Sequence, residues 1–164
     1  MFHYRTRTKA LLFFIGGLLG FSIDTTYTSI IENHLATQGF LTSLLGFPFP
    51  FLPAYGFGLM FIYLIQPFAL QQRWFTRLLI FGGSLTVLEF FGGIFSVAVL
   101  NQRVWDYSNN FLNFQGHIDV LHAIYWAILG TAVSYFFSKY PPDDWFPKKE
   151  MGVHFFKERW GKKK

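Results

Sequence analysis

The chain has 164 residues, the length of one domain, and 52% of them are hydrophobic, 22% aromatic and only 14% charged. That balance excludes intrinsic disorder and leaves too little charge to cover the surface of a water-soluble domain, so a membrane-embedded class remains. The net charge is +5, and the absence of cysteine excludes disulfides, thiolate metal sites and cysteine nucleophiles.

Arg5, Arg7 and Lys9 precede an apolar run from Ala10 to Ile31, broken by Asp24 and a few hydroxyl residues. A bilayer core takes roughly 20 apolar residues in a helix, and this run meets that length. Its basic start resembles a secretory signal. Asp24-Thr25-Thr26-Tyr27 stands where a small-residue cleavage site would be, so the run reads as an uncleaved first span. The stretch from Thr37 to Pro50 is rich in Gly and Pro yet uncharged, which predicts a re-entrant or interfacial loop.

A second span is expected from about Phe51 to Leu70, starting through Pro53 and bent or ended near Pro67. A third runs from Leu78 to Leu100, interrupted only by Glu89, and a fourth from about Gly116 to Phe137, with His117, Asp119 and His122 near its start. The fold class is therefore all-α: a polytopic membrane bundle of four transmembrane helices over residues 1–140. Residues 141–164 form a basic cytoplasmic tail. There Met151, Phe155, Phe156 and Trp160 alternate with basic residues, as in a short amphipathic helix lying on anionic lipids; a solvated tail is the alternative.

Counted over the segments outside these spans, 13 of the 14 Lys and Arg residues fall on one side. The positive-inside rule then puts both termini in the cytoplasm, with the plasma membrane as the expected location. The positive charge thus reports orientation and speaks against a nucleic-acid partner. Pairs such as Gly16 and Gly20, Gly82-Gly83 and Gly92-Gly93 suit close approach of helix backbones within one bundle.

Ionisable groups inside spans are costly and usually mark an interior or wet site. On this topology Asp24 lies in the outer half of the first span, Glu89 near the middle of the third, and His117, Asp119 and His122 in the first two turns of the fourth. Asp119 and His122, three apart, share a helical face and can hydrogen-bond, and Tyr125 and Trp126 continue that face; His117 is turned away. These positions form no metal-binding stripe, and no metal or cofactor is expected. No phosphate loop, dinucleotide fingerprint, nucleophile elbow or zinc helix is present, so any ATP hydrolysis would come from another subunit.

The run Trp105-Asp106-Tyr107-Ser108, followed by Asn113, Gly116 and Ile118, and then by Trp126 four residues before Gly130, resembles the signature of the ABC-transporter type IV family, the CmpB-like permease group. Gln38-Gly39-Phe40-Leu41, Pro53-Ala54-Tyr55-Gly56-Phe57-Gly58, and Glu89 with Gly92-Gly93 are similar to further blocks of that family, over about residues 12–138. Asp24 stands where the family typically has Glu, Gln38 and His117 where a basic residue is usual, and Ala127 where a Gly often follows Trp126, which marks a divergent member. The resemblance implies a permease-like membrane protein.

The residues themselves carry two readings of the loop. Trp105 and Tyr107 suit the headgroup layer, and Asp106, Ser108 and Asn113 suit capping or holding the loop closed, a structural clasp. In the other reading Asp106 joins Asp24, Glu89, Asp119 and the histidines around a polar cavity. The expected function is a permease-like or small-molecule-binding component with a site in the outer half of the membrane, drawn from Asp24, Glu89, Trp105, Asp106, Tyr107, Asn113, His117, Asp119 and His122. Four spans are few for a complete transporter, so a homo-oligomer or a partner membrane subunit is expected beside the lipid bilayer. The alternatives are an intramembrane enzyme acting on a lipid or isoprenoid, and a structural or assembly protein without ligand.

Overall fold

The computed structural model describes residues 2–31, 50–101 and 103–145. These fold into four helices, α1 (Phe2–Ile31), α2 (Pro53–Ala69), α3 (Trp74–Leu100) and α4 (Val120–Lys139), followed by a single 3-10 turn over Pro142–Asp144. The expected loop over 37–50, apart from Pro50, and the expected amphipathic segment of the tail lie outside the described residues. Helices α1, α3 and α4 are long and apolar enough to cross a membrane, whereas α2, at 17 residues, stands at the lower limit of such a length.

The bundle is two antiparallel hairpins laid side by side. In the first, glycines bring α1 and α2 together: a Cβ on Gly16 would stand 2.7 Å from the Tyr55 carbonyl oxygen, and one on Gly56 2.5 Å from that of Phe13. Only bare backbones approach so closely. The amide of Leu52 donates to the Gly17 carbonyl at 3.0 Å, and Pro53 opens α2, where its missing N–H is harmless. Pro67 does not end α2 at once; the helix runs on to Ala69. In the second hairpin, Gly82 faces Ala127 and Gly130 faces Phe81.

Between the hairpins sits a small core of Leu12, Ile62, Ala69, Phe81, Leu85 and Phe137. Outward, Phe14, Leu18, Phe91, Phe95, Val99 and Ile128 are exposed, apolar faces that water would not tolerate and hydrocarbon does.

One end of the bundle is closed by polar contacts. Arg77 donates to the carbonyls of Leu70 (2.9 Å) and Gln72 (2.8 Å), capping the C-terminal end of α2. Asp143 accepts from Thr8 at 2.9 Å and from Tyr63 at 2.8 Å, fastening the 3-10 turn to α1 and α2. Arg7, Lys9, Arg73, Arg77 and Lys139 are at this end, as the charge count along the sequence requires.

The opposite end departs from expectation. Asn101 adopts a left-handed conformation (φ 50°) and stops α3, and the chain then turns back along it. Trp105 sits on Gly92, His117 on Gly93, and the Phe114 ring 5.5 Å from that of Phe90. The loop thus lies along about the last three turns of α3, not above them. Gly92 and Gly93 are seats for this loop rather than helix–helix contacts. The fourth helix starts at Val120, not at Gly116. Gly116 has φ +70°, and a Cβ there would meet Ser108 Oγ and Asp106 Oδ1, so only glycine fits this turn.

Candidate functional site

The folded-back loop brings polar groups from three elements to one level of the bundle. Asp119, the N-cap of α4, accepts from the His122 amide at 2.7 Å, filling the place of a missing helical bond. Its second oxygen meets His122 Nδ1 at 2.8 Å and accepts from Asn110 Nδ2. Asp119 is 3% exposed, so these are the bonds of a buried carboxylate. Burial by itself would raise its pKa; the bonds from Asn110, the His122 amide and the His122 imidazole outweigh it and hold the carboxyl below the usual range.

The His122 ring lies stacked on Tyr107, with centroids 4.0 Å apart. Tyr107 points inward and donates to Glu89 Oε1 at 3.1 Å, while Trp126 Nε1 donates to Glu89 Oε2 at 2.9 Å. Both oxygens of the α3 carboxylate are therefore held by neutral donors, one from the loop and one from α4. Burial, with the nearby Glu89 carboxylate adding to it, keeps the Tyr107 phenol protonated far above its ordinary range. The Trp126 ring stands 5.5 Å from that of Tyr55 on α2, and Tyr55 Oη reaches Asp24 of α1 at 3.5 Å. A line of contacts, Asp24–Tyr55–Trp126–Glu89–Tyr107–His122–Asp119, crosses all four helices.

The nine expected residues divide. Asp24, Glu89, Tyr107, Asp119 and His122 join this line. Trp105, Asp106, Asn113 and His117 serve the loop. Trp105 Nε1 donates to the His117 carbonyl at 2.9 Å. Asn113 Nδ2 donates to the carbonyls of Ser108 (3.0 Å) and Asn110 (2.9 Å), and its oxygen accepts from the Gly116 amide at 3.2 Å. Asp106 is exposed, accepts from the Ser108 hydroxyl and amide, and pairs with Arg103 at 3.2 Å. Those Ser108 bonds, with Arg103, lower its pKa. His117 is buried (6% exposed), and its Nδ1, which has no hydrogen-bond partner, faces Gly93. It precedes α4, so the helical rotation assumed for it does not apply.

Three members were not expected as site residues. Tyr55 stood in the sequence only as part of a larger block, and Trp126 was expected on the face of Asp119 and His122, one turn beyond His122, without being assigned to the site. Asn110 carried no signal, because its role depends on the loop folding back. Among the described residues no three His, Asp or Glu side chains are placed to hold a metal ion.

Next to the line lies an apolar crevice of about 80 Å³ between the hairpins, lined by all four helices and bordered by the rings of Tyr55 and Trp126.

The chain belongs to the family described as Putative ABC-transporter type IV, whose model matches residues 11–149. No curated protein and no solved structure matches it.

Proposed function

We propose that the chain is a permease-like, multi-pass component of the cell membrane, with α2 as a short fourth span, both termini in the cytoplasm, and a ligand site at the polar line in the outer half of the bilayer. Membership of an ABC-transporter-type family supports a transport role. The observation that carries the site is Glu89, a carboxylate well inside an apolar helix, linked through Trp126 and Tyr55 to Asp24 on the other hairpin. Groups of this kind are retained in membranes where a solute or proton has to be handled. Since the sequence has no phosphate loop, any ATP hydrolysis coupled to transport comes from a partner subunit.

The test is purification in mild detergent, crosslinking and reconstitution in liposomes. The expected result is a homo-oligomer or a complex with an ATPase subunit whose solute flux falls when Glu89→Gln is introduced. A strictly monomeric protein with no partner and no flux overturns the proposal.

One observation favours a second reading. Asp119 orients the His122 imidazole as an acid–base pair requires, with Glu89 close by, an arrangement compatible with chemistry on a lipid or isoprenoid. Under this reading the lipid composition of cells carrying Glu89→Gln or His122→Ala changes, whereas a pure permease leaves it unaltered.

A further inference from the structure

One glycine in the wall of the crevice between the hairpins touches nothing across it. Gly58 lies in its wall, is buried, and yet a Cβ built on it would meet no atom within 4 Å. The other glycines in the lining, Gly16 and Gly20, are pressed against α2. Gly58 is therefore not needed for helix contact, and in a helix interior glycine is less favourable than alanine. What its missing side chain provides is space.

The lining is almost wholly hydrocarbon: Leu19, Leu59, Ile62, Leu85, Leu129 and Val133 face the opening. At its polar border stand the rings of Tyr55 and Trp126, each tied to a carboxylate, Asp24 and Glu89. Charge on this side is lopsided. From Ala10 to Gln72 the sequence has no Lys or Arg, and from Leu78 to Ser138 it has only Arg103, which is engaged by Asp106 and by the Gln115 carbonyl. An anionic head at this border would find, beyond the two rings, the carboxylates they hold and no lysine or arginine to receive it. A cationic head would meet two aromatic faces backed by carboxylates.

We infer that the crevice receives the head-proximal few carbons of the hydrocarbon chain of a cationic amphiphile, an alkylammonium type of molecule whose head rests against Tyr55 and Trp126, the rest of the chain lying in the bilayer. This deepens the proposed ligand site and rests on that reading. The chain fills apolar space that Gly58 leaves open, and the head is selected by the charge of the polar line.

The experiment uses the full chain in phosphatidylcholine nanodiscs with two photoreactive probes. Both carry a diazirine on a dodecyl chain; one ends in trimethylammonium and the other in phosphate. Labelled peptides are identified by mass spectrometry. The ammonium probe is expected to mark α2 and α4 around Leu59 and Leu129, about tenfold more strongly than the phosphate probe. Gly58→Leu, which fills the space, is expected to abolish that label with thermal stability retained; Gly58→Ala, milder and helix-favouring, reduces it. Glu89→Gln lowers the preference for ammonium. Equal labelling by both probes overturns the cationic assignment while leaving the polar line as a ligand site for another class. Crevice labelling that survives Gly58→Leu, or that is absent with both probes, overturns the crevice as the site.

Discussion

The imidazole of His122 lies over the phenol ring of Tyr107 at 4.0 Å between centroids, the planes only 16° apart. This stack joins two carboxylates that share no direct bond: His122 reaches Asp119 through Nδ1, and Tyr107 reaches Glu89 through its hydroxyl. Loop, cap and span are thereby made one unit.

Tyr107→Phe keeps the stack and removes the donor. Glu89 Oε1 is then left without its partner, which costs about 1–3 kcal/mol for a buried acceptor. Tyr107→Ala loses the stack as well and is expected to lower the melting temperature further and to release the loop. Thermal unfolding in nanodiscs, with proteolysis between Arg103 and Asp119 as the second readout, checks both. Equal losses for the two variants would mean that the stack contributes nothing.

Glu89 separates the site reading from a purely structural one. In Glu89→Gln the amide oxygen can accept from the Trp126 indole while the amide nitrogen donates to the Tyr107 oxygen, so the bundle keeps its ties and loses only the charge. In Glu89→Leu both donors are stranded, at about 1–3 kcal/mol each. If the polar line binds ligand, Glu89→Gln lowers binding or flux with a nearly unchanged melting temperature. If it merely locks the bundle, function falls only in step with stability across the two variants.

The glycines of α3 make a paired prediction. A Cβ on Gly93 would stand 2.6 Å from His117 Nδ1, whereas one on Gly83 meets nothing within 4 Å. Gly93→Ala therefore displaces His117 and, with it, the start of α4, a loss of about 1–3 kcal/mol typical of overpacking. Gly83→Ala is expected to be neutral or to stabilise by up to about 1 kcal/mol through helix propensity. Chemical denaturation of the two proteins side by side distinguishes them. Identical behaviour would show that the seat for His117 yields freely.

These cases show what was legible in the sequence. The apolar runs and one-sided basic residues give the helices and their antiparallel order, because hydrocarbon length and charge asymmetry are local properties. Glu89, Asp119 and His122 stand out because charge in an apolar run is costly. The division of the Trp-Asp-Tyr-Ser block is not legible. Asp106 and Tyr107 are neighbours, but one faces outward to Arg103 and the other inward to Glu89 only once the loop doubles back onto Gly92 and Gly93. That return depends on left-handed turns at Asn101 and Gly116 and on contacts between residues distant in sequence. Tyr55 and Asn110 enter the site for the same reason: each is placed by a partner on another element.

Asp119 supplies the pH dependence. Its folded carboxyl titrates below its ordinary value of 3.8, so the charged form stabilises the folded state. That contribution is complete above about 3.8 and is lost as the pH falls through the lower folded value. Asp119→Ala removes the cap and the partner of His122, costing about 1–2 kcal/mol at neutral pH. Asp119→Asn keeps a capping oxygen and gives up the charge. Thermal unfolding from neutral pH into the acid range is therefore expected to show wild type well above Asp119→Ala at neutral pH and converging on Asp119→Asn in acid, as protonation gives the native carboxyl the charge state of an amide. An acid limb in Asp119→Asn as steep as that of the wild type would show that another carboxylate governs it, and that the bond from Asp119 to His122 is not what holds the start of α4.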